Sequence, residues 1–216
     1  MLRVIIFAAG KYGKKEYYRN IITSDDFLLC ADGGANFAYS LGLVPNLVLG
    51  DFDSIAPDVQ KLLENEGCPF VKYPAEKDES DLELALEHAL RIKPEEIIIF
   101  GALGGRIDHA LANIFLLETA VPPELSFSLR DEGLAIYLFN ESLVLEGNKG
   151  DILSLLPLSE KAENVRTEGL SYPLKGEVLY RNQTRGLSNI FVSEKVMITI
   201  SAGKIIAIHS FEQKDL

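Results

Sequence analysis

The first half of the chain alternates short apolar runs with segments in which apolar residues recur at helical spacing. The apolar runs are rich in β-branched residues and end at Gly, Asp or Pro, as buried strands do. They are RVIIFAA, FLLCAD, NLVLGD and EIIIFGA. Between them, APDVQKLLENEG and SDLELALEHALRI predict helices. Because strands and helices alternate in this way, we expect an α/β domain built on a mostly parallel sheet.

The helix predicted over SDLELALEHALRI has the strongest local signals. Ser80 followed by Glu83 forms a capping box, which predicts that the helix begins near Ser80. The apolar residues that share one face are Leu82, Ala85, Leu86, Ala89 and Leu90. This face is therefore expected to pack on the sheet.

The second half has a different pattern. After Pro122 and Pro123, the strand-like segments KGDILSLLPL, GEVLYRN, KVMITIS and KIIAIHSF are separated by turns such as GNKGD and SAGK. No segment there has the length and spacing of a long helix. We therefore expect an α/β domain over residues 1–122, followed by an antiparallel β-sandwich domain over residues 123–216.

Composition narrows the possible partners. The chain has 216 residues, of which 47% are hydrophobic and 25% charged, as in ordinary globular proteins. Its net charge of -11 argues against a nucleic-acid partner, which requires clustered Lys and Arg. No apolar run reaches the roughly 18–20 residues that cross a bilayer. We therefore expect a cytoplasmic protein with no membrane partner. Cys30 and Cys68 lack C-x-x-C spacing, and we expect both to be reduced.

Polar segments stand at the carboxyl ends of the predicted strands. ADGG, GDFDS and GALGGRIDH each follow a strand, and EKDESD precedes a helix. In an open parallel sheet, ligands bind beyond the carboxyl ends of the strands. We therefore expect these segments to form a single site at one edge of the sheet.

Asp51 and Asp53 are the first candidates for metal ligands. They stand at i and i+2, so an extended backbone would point both side chains to the same face. No Lys or Arg occurs over residues 44–60 to balance them. Carboxylates suit Mg²⁺, which completes its shell with water and phosphate oxygens. The alternative is that Asp53 or Ser54 caps the following helix while Asp51 makes a turn.

Asp78 and Asp81 are further candidate metal ligands. They flank Ser80 at a helix start, where the helix dipole favours acidic side chains whatever the function. A metal-binding role for them is favoured only because they would add carboxylates to those of Asp51 and Asp53. The division of roles between them stays open.

The segment GALGGRIDHALANI is a candidate phosphate site. Gly104 and Gly105 allow a backbone to approach a phosphate, and Arg106 offers a bidentate donor beside them. Asp108 stands at the start of a helix predicted over residues 110–118, whose free N–H groups favour an anion. The alternative is a glycine turn in which Arg106 and Asp108 pair at the surface. The Walker pattern GxxxxGK[ST] is absent.

Two segments carry weaker signals. In ADGGAN, Asp32, Gly33 and Gly34 are candidates for nucleotide contacts, although any tight strand-to-helix turn could use the glycines. His109 follows Asp108, but adjacent helical residues do not face each other. Since no nucleophile with its base is evident, the sequence favours positioning and metal-assisted charge stabilisation, which phosphoryl-type transfer requires.

Taken in order, these motifs resemble the thiamine pyrophosphokinase family. The matching segments are ADGGAN, GDFDSI, EKDESDLELAL, GALGGRIDHALANI, GLSYPL and GLSNIF, from Ala31 to Phe191. GDFDSI and GGRIDH are the most specific. The resemblance implies a homodimeric transferase that moves the diphosphoryl group of ATP to thiamine, giving thiamine diphosphate and AMP. It also implies an α/β catalytic domain that binds ATP, followed by a β-sandwich that binds thiamine and forms the dimer.

The resemblance also assigns roles to individual residues. The residues that would bind Mg²⁺ are Asp51, Asp53 and Asp81, with Asp78 beside them. Those that would contact ATP are Asp32, Gly33, Gly34, Gly104, Gly105, Arg106 and His109. Those that would contact thiamine are Lys77, Asp108, Ser188 and Asn189, the last two from the neighbouring subunit. The catalytic set would be Asp51, Asp53, Asp81 and Asp108.

Two other functions are compatible with the residues. The first is a different Mg²⁺ enzyme with a D-x-D motif, either a nucleotide-sugar transferase or a phosphatase. A phosphatase that forms an aspartyl-phosphate usually carries its nucleophile after the first strand, whereas Asp51 follows a later one. The second is a non-catalytic nucleotide- or vitamin-binding module, which would have no need of an acidic cluster.

Overall fold

The computed structural model describes residues 2–118 and 125–212, and it divides into two compact units, Met1–Glu132 and Gly133–Leu216. The domain boundary predicted at residues 122 and 123 lies outside the described residues. A strand over Ser126–Asp131, which the sequence pattern assigns to the second half, belongs to the first unit.

The first unit alternates strands and helices. Within its described residues the elements are β1 (Arg3–Phe7), α1 (Lys15–Ile21), β2 (Phe27–Ala31), α2 (Gly34–Ser40), β3 (Leu47–Gly50), α3 (Pro57–Asn65), β4 (Phe70–Lys72), α4 (Asp81–Arg91), β5 (Glu96–Phe100), α5 (Ile107–Leu116) and β6 (Ser126–Asp131). The six strands pair in parallel in the order β4-β3-β2-β1-β5-β6. The predicted parallel α/β sheet is confirmed.

The order of the strands sets where a ligand can bind. β2, β3 and β4 lie on one side of β1, while β5 and β6 lie on the other, so the direction of winding reverses between β1 and β5. Ligands of open α/β sheets bind at this reversal, beyond the carboxyl ends of the strands. The loops that follow β1 and β5, residues 8–14 and 101–106, therefore flank the expected crevice.

The helix α4 begins where the capping box predicts. Ser80 Oγ accepts a hydrogen bond from the backbone N–H of Glu83 at 3.2 Å. The predicted stripe is buried except for Leu90, and Leu84 is buried as well, because α4 packs across β1, β2 and β3. The helix predicted over residues 110–118 instead spans Ile107–Leu116, since it begins directly after Arg106. Among the described residues, no helix is long and apolar enough to cross a membrane.

A buried ion pair fixes the start of the first sheet. Arg3 Nε and Nη2 donate to the two carboxylate oxygens of Asp26 at 2.7 Å each, and the backbone N–H of Thr23 donates to Asp26 at 2.7 Å. Burial by itself would raise the pKa of Asp26. The hydrogen bonds and the charge of Arg3 outweigh burial and hold this pKa below its usual value.

We expect this pair to make the fold less stable in acid. A carboxylate with a lowered folded-state pKa stabilises the fold above its unfolded pKa of about 3.9, and this stability is lost as pH falls through the folded-state pKa. Asp26→Asn should therefore lower the free energy of unfolding at pH 7 by about 1–3 kcal/mol and flatten its decline in acid. Urea unfolding at a series of pH values measures both, with Asp25→Asn, an exposed neighbour, as the control. An equally steep decline in Asp26→Asn would contradict the expectation.

The second unit contains only strands within its described residues. They are β7 (Leu134–Phe139), β8 (Ser142–Glu146), β9 (Ile152–Pro157), β10 (Lys161–Glu168), β11 (Lys175–Tyr180), β12 (Asn189–Ile190), β13 (Lys195–Thr199) and β14 (Ile205–Ser210). They pair antiparallel in the orders β7-β14-β9-β12 and β8-β13-β10-β11. Buried side chains of both groups, such as Leu153 and Val196, share one apolar core. The predicted β-sandwich is confirmed.

Candidate active site

Three carboxylates meet at the carboxyl ends of two neighbouring strands. Asp32 directly follows β2, and Asp51 and Asp53 follow β3, which pairs with β2 in parallel. One carboxylate oxygen from each of the three lies within 4.8 Å of the others. Of these three, the sequence predicts a metal role for Asp51 and Asp53, and the structure adds Asp32 to the same cluster.

A close approach of the backbones brings Asp32 to the pair. The N–H of Asp32 donates to the carbonyl oxygen of Leu49 at 2.8 Å, and Asp32 itself has a φ of 42°. Gly50 has a φ of 145°, and a Cβ there would lie 2.9 Å from the Cβ of Asp32. Glycine is therefore required at residue 50 for Asp32 to lie against the end of β3.

The backbone between Asp51 and Asp53 is not extended. Phe52 has a φ of 68°, and the N–H of Asp53 donates to Asp51 Oδ1 at 3.1 Å. The expectation of an extended pair is therefore wrong, because the chain bends sharply at Phe52. The ring of Phe52 packs edge-on against Phe70, with centroids 5.4 Å apart, and this contact holds the bend.

The structure also removes the helix-capping alternative for these acids. The N-cap of α3 is Ala56, and no side chain of that residue caps the helix. The N–H of Ala56 instead donates to Asn36 Oδ1 at 2.9 Å. Ser54 Oγ donates to Asp53 Oδ1 at 2.7 Å rather than capping the helix. Neither Asp53 nor Ser54 therefore caps α3, whereas Asp51 does make the turn that the alternative includes, since it accepts the N–H of Asp53.

The environment of Asp32 favours a cation. Its side chain is buried, and Oδ2 accepts a hydrogen bond from the N–H of Ser54 at 3.2 Å. Oδ1 is buried and has no hydrogen-bond partner among the residues that the structure describes. Burial, and then the charges of Asp81, Asp53 and Asp51, raise the pKa of Asp32. A buried oxygen among like charges is a site that a positive ion would stabilise.

Asp81 approaches this cluster from α4. It is the first residue of the helix, and its charge acts on Asp32 more strongly than those of Asp51 and Asp53. Lys77 Nζ lies 3.0 Å from Asp81 Oδ1 and donates a hydrogen bond to the carbonyl oxygen of Pro74 at 3.1 Å. Asp78 is exposed and does not belong to the cluster found among the described residues, so its metal role stays a prediction.

The backbone of the glycine loop after β5 is anchored at its first residue, Gly101. Gly101 has a φ of 70°, and a Cβ there would lie 2.4 Å from the ring of Tyr12. Its N–H donates to Asp131 Oδ1 at 3.0 Å, and the hydroxyl of Tyr18 donates to the same oxygen at 3.2 Å. Gly105 has a φ of 95° with open space around it. The loop is therefore held at Gly101 and open at Gly105.

Arg106 and Asp108 form an exposed ion pair. Arg106 Nε donates to Asp108 Oδ1 at 3.1 Å, and Arg106 Nη2 donates to Oδ2. The hydrogen bonds from Arg106 lower the pKa of Asp108 to about 2. The side chains are 72% and 60% exposed, so the surface pair foreseen as an alternative is present. His109 is exposed, and its backbone N–H donates to Asp108 Oδ1 at 3.0 Å.

In the second unit, Asn189 uses its side chain to hold a neighbouring segment. Its Oδ1 accepts from the N–H of Tyr172 at 3.0 Å, and its Nδ2 donates to the carbonyl oxygen of Tyr172 at 2.7 Å. Ser188 has a φ of 56° and is exposed. A groove of about 430 Å³ is lined by Asn189, Arg185 and Glu177 among others. The family resemblance implies site roles for Ser188 and Asn189, which stay predictions, whereas Arg185 lies in none of the matching segments.

The two units match two parts of one known family. The family model described as thiamin pyrophosphokinase, catalytic domain, matches residues 18–128. The model described as thiamin pyrophosphokinase, vitamin B1 binding domain, matches residues 141–205. The chain belongs to the thiamine pyrophosphokinase family. The first match lies within the first unit and the second within the second unit.

Individual members of the thiamine pyrophosphokinase family agree with this assignment. The thiamine pyrophosphokinase of Bacillus subtilis is 33% identical over 181 residues, which are 83% of this chain and 85% of that protein. The crystal structure of the Bacillus subtilis protein has a TM-score of 0.89 at 27% identity and covers 98% of this chain and 100% of that one. That of the Geobacillus thermodenitrificans protein has a TM-score of 0.82 at 25% identity over the whole of both chains.

Family membership gives the chain its reaction class. Thiamine pyrophosphokinases are transferases that make thiamine diphosphate, and this chain carries both of the family's domains in the family's order. The predicted recognition, fold and enzyme class are therefore confirmed. The carboxylate cluster lies in the part of the chain that matches the catalytic domain.

Proposed function

We propose that the chain transfers the diphosphoryl group of ATP to thiamine, with Mg²⁺ held by the acidic cluster, and releases thiamine diphosphate and AMP. The observation that carries the proposal is the buried, unpartnered Oδ1 of Asp32 among the carboxylates of Asp51 and Asp53, within the described residues. A cluster of this kind is costly in a folded protein unless a cation binds there. A pure nucleotide-binding module gains nothing from it.

The donor atoms of the cluster fit Mg²⁺. Asp32, Asp51 and Asp53 offer hard carboxylate oxygens, and neither His nor Cys belongs to the group found in the described residues. These three residues would hold the ion, with the charge of Asp81 close by. When bound, Mg²⁺ offsets the negative charge of the phosphate oxygens and the charge that develops during transfer.

The glycine loop and Arg106 would position the triphosphate. Gly104 and Gly105 would contact the phosphates, with open space at Gly105, and the exposed guanidinium of Arg106 can bind a phosphate when it turns from Asp108. Asp108 stays ionised at neutral pH with or without Arg106, because the pair lowers its pKa to about 2 and the ordinary Asp pKa is only about 3.9. Asp108 is therefore an acceptor that would orient the hydroxyl group of thiamine, rather than an acid that donates a proton.

The residues that would contact thiamine include Lys77 and Ser188. Lys77 would offer a polar contact, and Ser188 is exposed. Asn189 would act through the segment that it holds at Tyr172. We further propose that the protein is a cytoplasmic homodimer. Ser188 and Asn189 of one subunit would then contact the thiamine bound at the active site of the other.

The proposed reaction predicts two products in equal amounts. Purified protein incubated with thiamine, ATP and Mg²⁺ should form AMP and thiamine diphosphate together, both measured by chromatography. Chelation of the metal should stop both, and added Mg²⁺ should restore both.

Other products would contradict the proposal. ADP or free phosphate would indicate a different phosphoryl-transfer enzyme, and trapping of an aspartyl-phosphate on Asp51 would indicate a phosphatase. Binding of MgATP without turnover in the presence of thiamine would indicate a binding module.

A further inference from the structure

The loop after β1 occupies the centre of the site edge. It covers residues 8–14, and β1 lies between β2, which ends at Asp32, and β5, which ends at the glycine loop. The carboxylate cluster and Arg106 therefore lie at the ends of strands on opposite sides of β1. A triphosphate that reached both would pass over this loop.

Close contacts connect the loop to both sides. A Cβ at Gly104 would lie 2.8 Å from the Cβ of Lys11, which places Lys11 directly beside the glycine loop. On the other side, a Cβ at Gly33 would lie 3.4 Å from the Cβ of Ala9 and 3.1 Å from Ser54. Ser54 in turn donates to Asp53. The loop that carries Lys11 thus packs against the glycine loop on one side and, through Ala9, against Gly33 beside Ser54 on the other.

The backbone on either side of Lys11 is anchored. The ring of Tyr12 stacks on Phe37 with centroids 3.7 Å apart, and a Cβ at Gly10 would lie 2.0 Å from the carbonyl oxygen of Gly101. The N–H of Lys14 donates to Glu132 Oε2 at 2.8 Å. The Lys11 backbone is therefore fixed, while its side chain is exposed.

The charges of the site single out the same residue. Lys77 Nζ lies 3.0 Å from Asp81 Oδ1 and Arg106 pairs with Asp108, so the two cations that the resemblance assigns to substrate contacts each have a carboxylate beside them. Lys11 has no ion pair or hydrogen bond from its side chain within the described part of the chain. It is a free positive charge at the point where a triphosphate would cross.

We propose that Lys11 binds the phosphate chain of ATP, between the carboxylate cluster and the glycine loop that precedes Arg106. This inference rests on the proposed function and adds to it a residue outside all the predicted motifs. The compact ammonium group of Lys11 would balance phosphate charge that Mg²⁺ leaves unbalanced, without the need to open an existing ion pair. The anchored backbone reduces the ordering cost of this contact.

Calorimetric titration of MgATP in the absence of thiamine tests the proposal. Lys11→Met keeps the aliphatic stem and removes the charge, so it should weaken MgATP binding by about ten- to a hundredfold, as expected for a charge-assisted hydrogen bond. Binding of adenosine, which has no phosphate, should stay within about twofold. Lys11→Arg keeps the charge and should restore most of the affinity for MgATP.

Lys93→Met is the matched control. Lys93 is exposed and precedes β5, at the opposite edge of the sheet, so the same loss of charge there should leave MgATP binding unchanged. Unchanged binding in Lys11→Met, in a protein whose wild type binds MgATP and forms thiamine diphosphate, would overturn the role of Lys11 and leave the proposed function standing. A wild-type protein that does not bind MgATP would overturn both. Equal weakening for MgATP and adenosine would show a merely structural effect and also overturn the proposal.

Discussion

Asp51→Asn should lower the rate of thiamine diphosphate formation by about a thousandfold, roughly 4 kcal/mol of transition-state stabilisation. The asparagine keeps the shape and can still accept the N–H of Asp53, so the bend at Phe52 should persist. What it loses is one anionic oxygen of the cluster with Asp32 and Asp53. Steady-state kinetics with saturating thiamine and MgATP measure the change.

A neighbouring acid provides the control for this variant. Asp58 is exposed in the first turn of α3, so Asp58→Asn removes the same charge outside the cluster and should keep near-normal turnover. Thermal unfolding in Mg²⁺-free buffer should show Asp51→Asn to be at least as stable as the wild type, because one of three like charges is gone. Near-normal turnover in Asp51→Asn would overturn the role of the cluster.

Gly34→Ala should lower the free energy of unfolding by about 3 kcal/mol or more. A Cβ at Gly34 would lie 2.0 Å from the carbonyl oxygen of Phe7, the last residue of β1. Backbone rather than a flexible side chain blocks the methyl group, so α2 or β1 must shift. Urea unfolding measures the loss.

Gly42→Ala separates packing from backbone strain. Gly42 has a φ of 79° but nothing within 4 Å of its Cβ position, so alanine there should cost only about 1–2 kcal/mol of strain. The sequence pattern assigns Gly34 to ATP, whereas the contact with Phe7 indicates a packing role. A Gly34→Ala protein of normal stability would refute the packing explanation.

The elements that could be predicted from sequence are those whose signals are local. The strands have apolar runs bounded by turn residues, and α4 has a capping box and a stripe, so both appear close to their predicted positions. The helices α1 and α2 have seven residues each, too few to show a periodic pattern. The strand β6 could not be assigned to its sheet, because its parallel pairing with β5 depends on contacts across the fold.

In the candidate site, too, the residues with local signals could be predicted and those brought together by the fold could not. The pair Asp51 and Asp53 stands out because no cation is near it in sequence. The place of Asp32 in the cluster follows from the pairing of β2 with β3, and the link could have been drawn from the fact that both acids directly follow strands. The contact of Lys11 with Gly104 joins residues far apart in the chain, so no local pattern contains it.

The bend at Phe52 also determines whether the D-x-D motif would keep its geometry outside this fold. A left-handed conformation costs an ordinary residue roughly 1–2 kcal/mol, and here the packing of Phe52 on Phe70 and the strand that carries Phe70 offset that cost. A segment Asp-Phe-Asp in a free peptide, or at the end of another strand, would adopt a different backbone conformation. It would then lose the geometry that brings the two carboxylates to Asp32. The divalent-cation affinity proposed for this position would therefore be a property of the folded sheet, and the aromatic residue between the acids would belong to the proposed binding site although it offers no ligand atom.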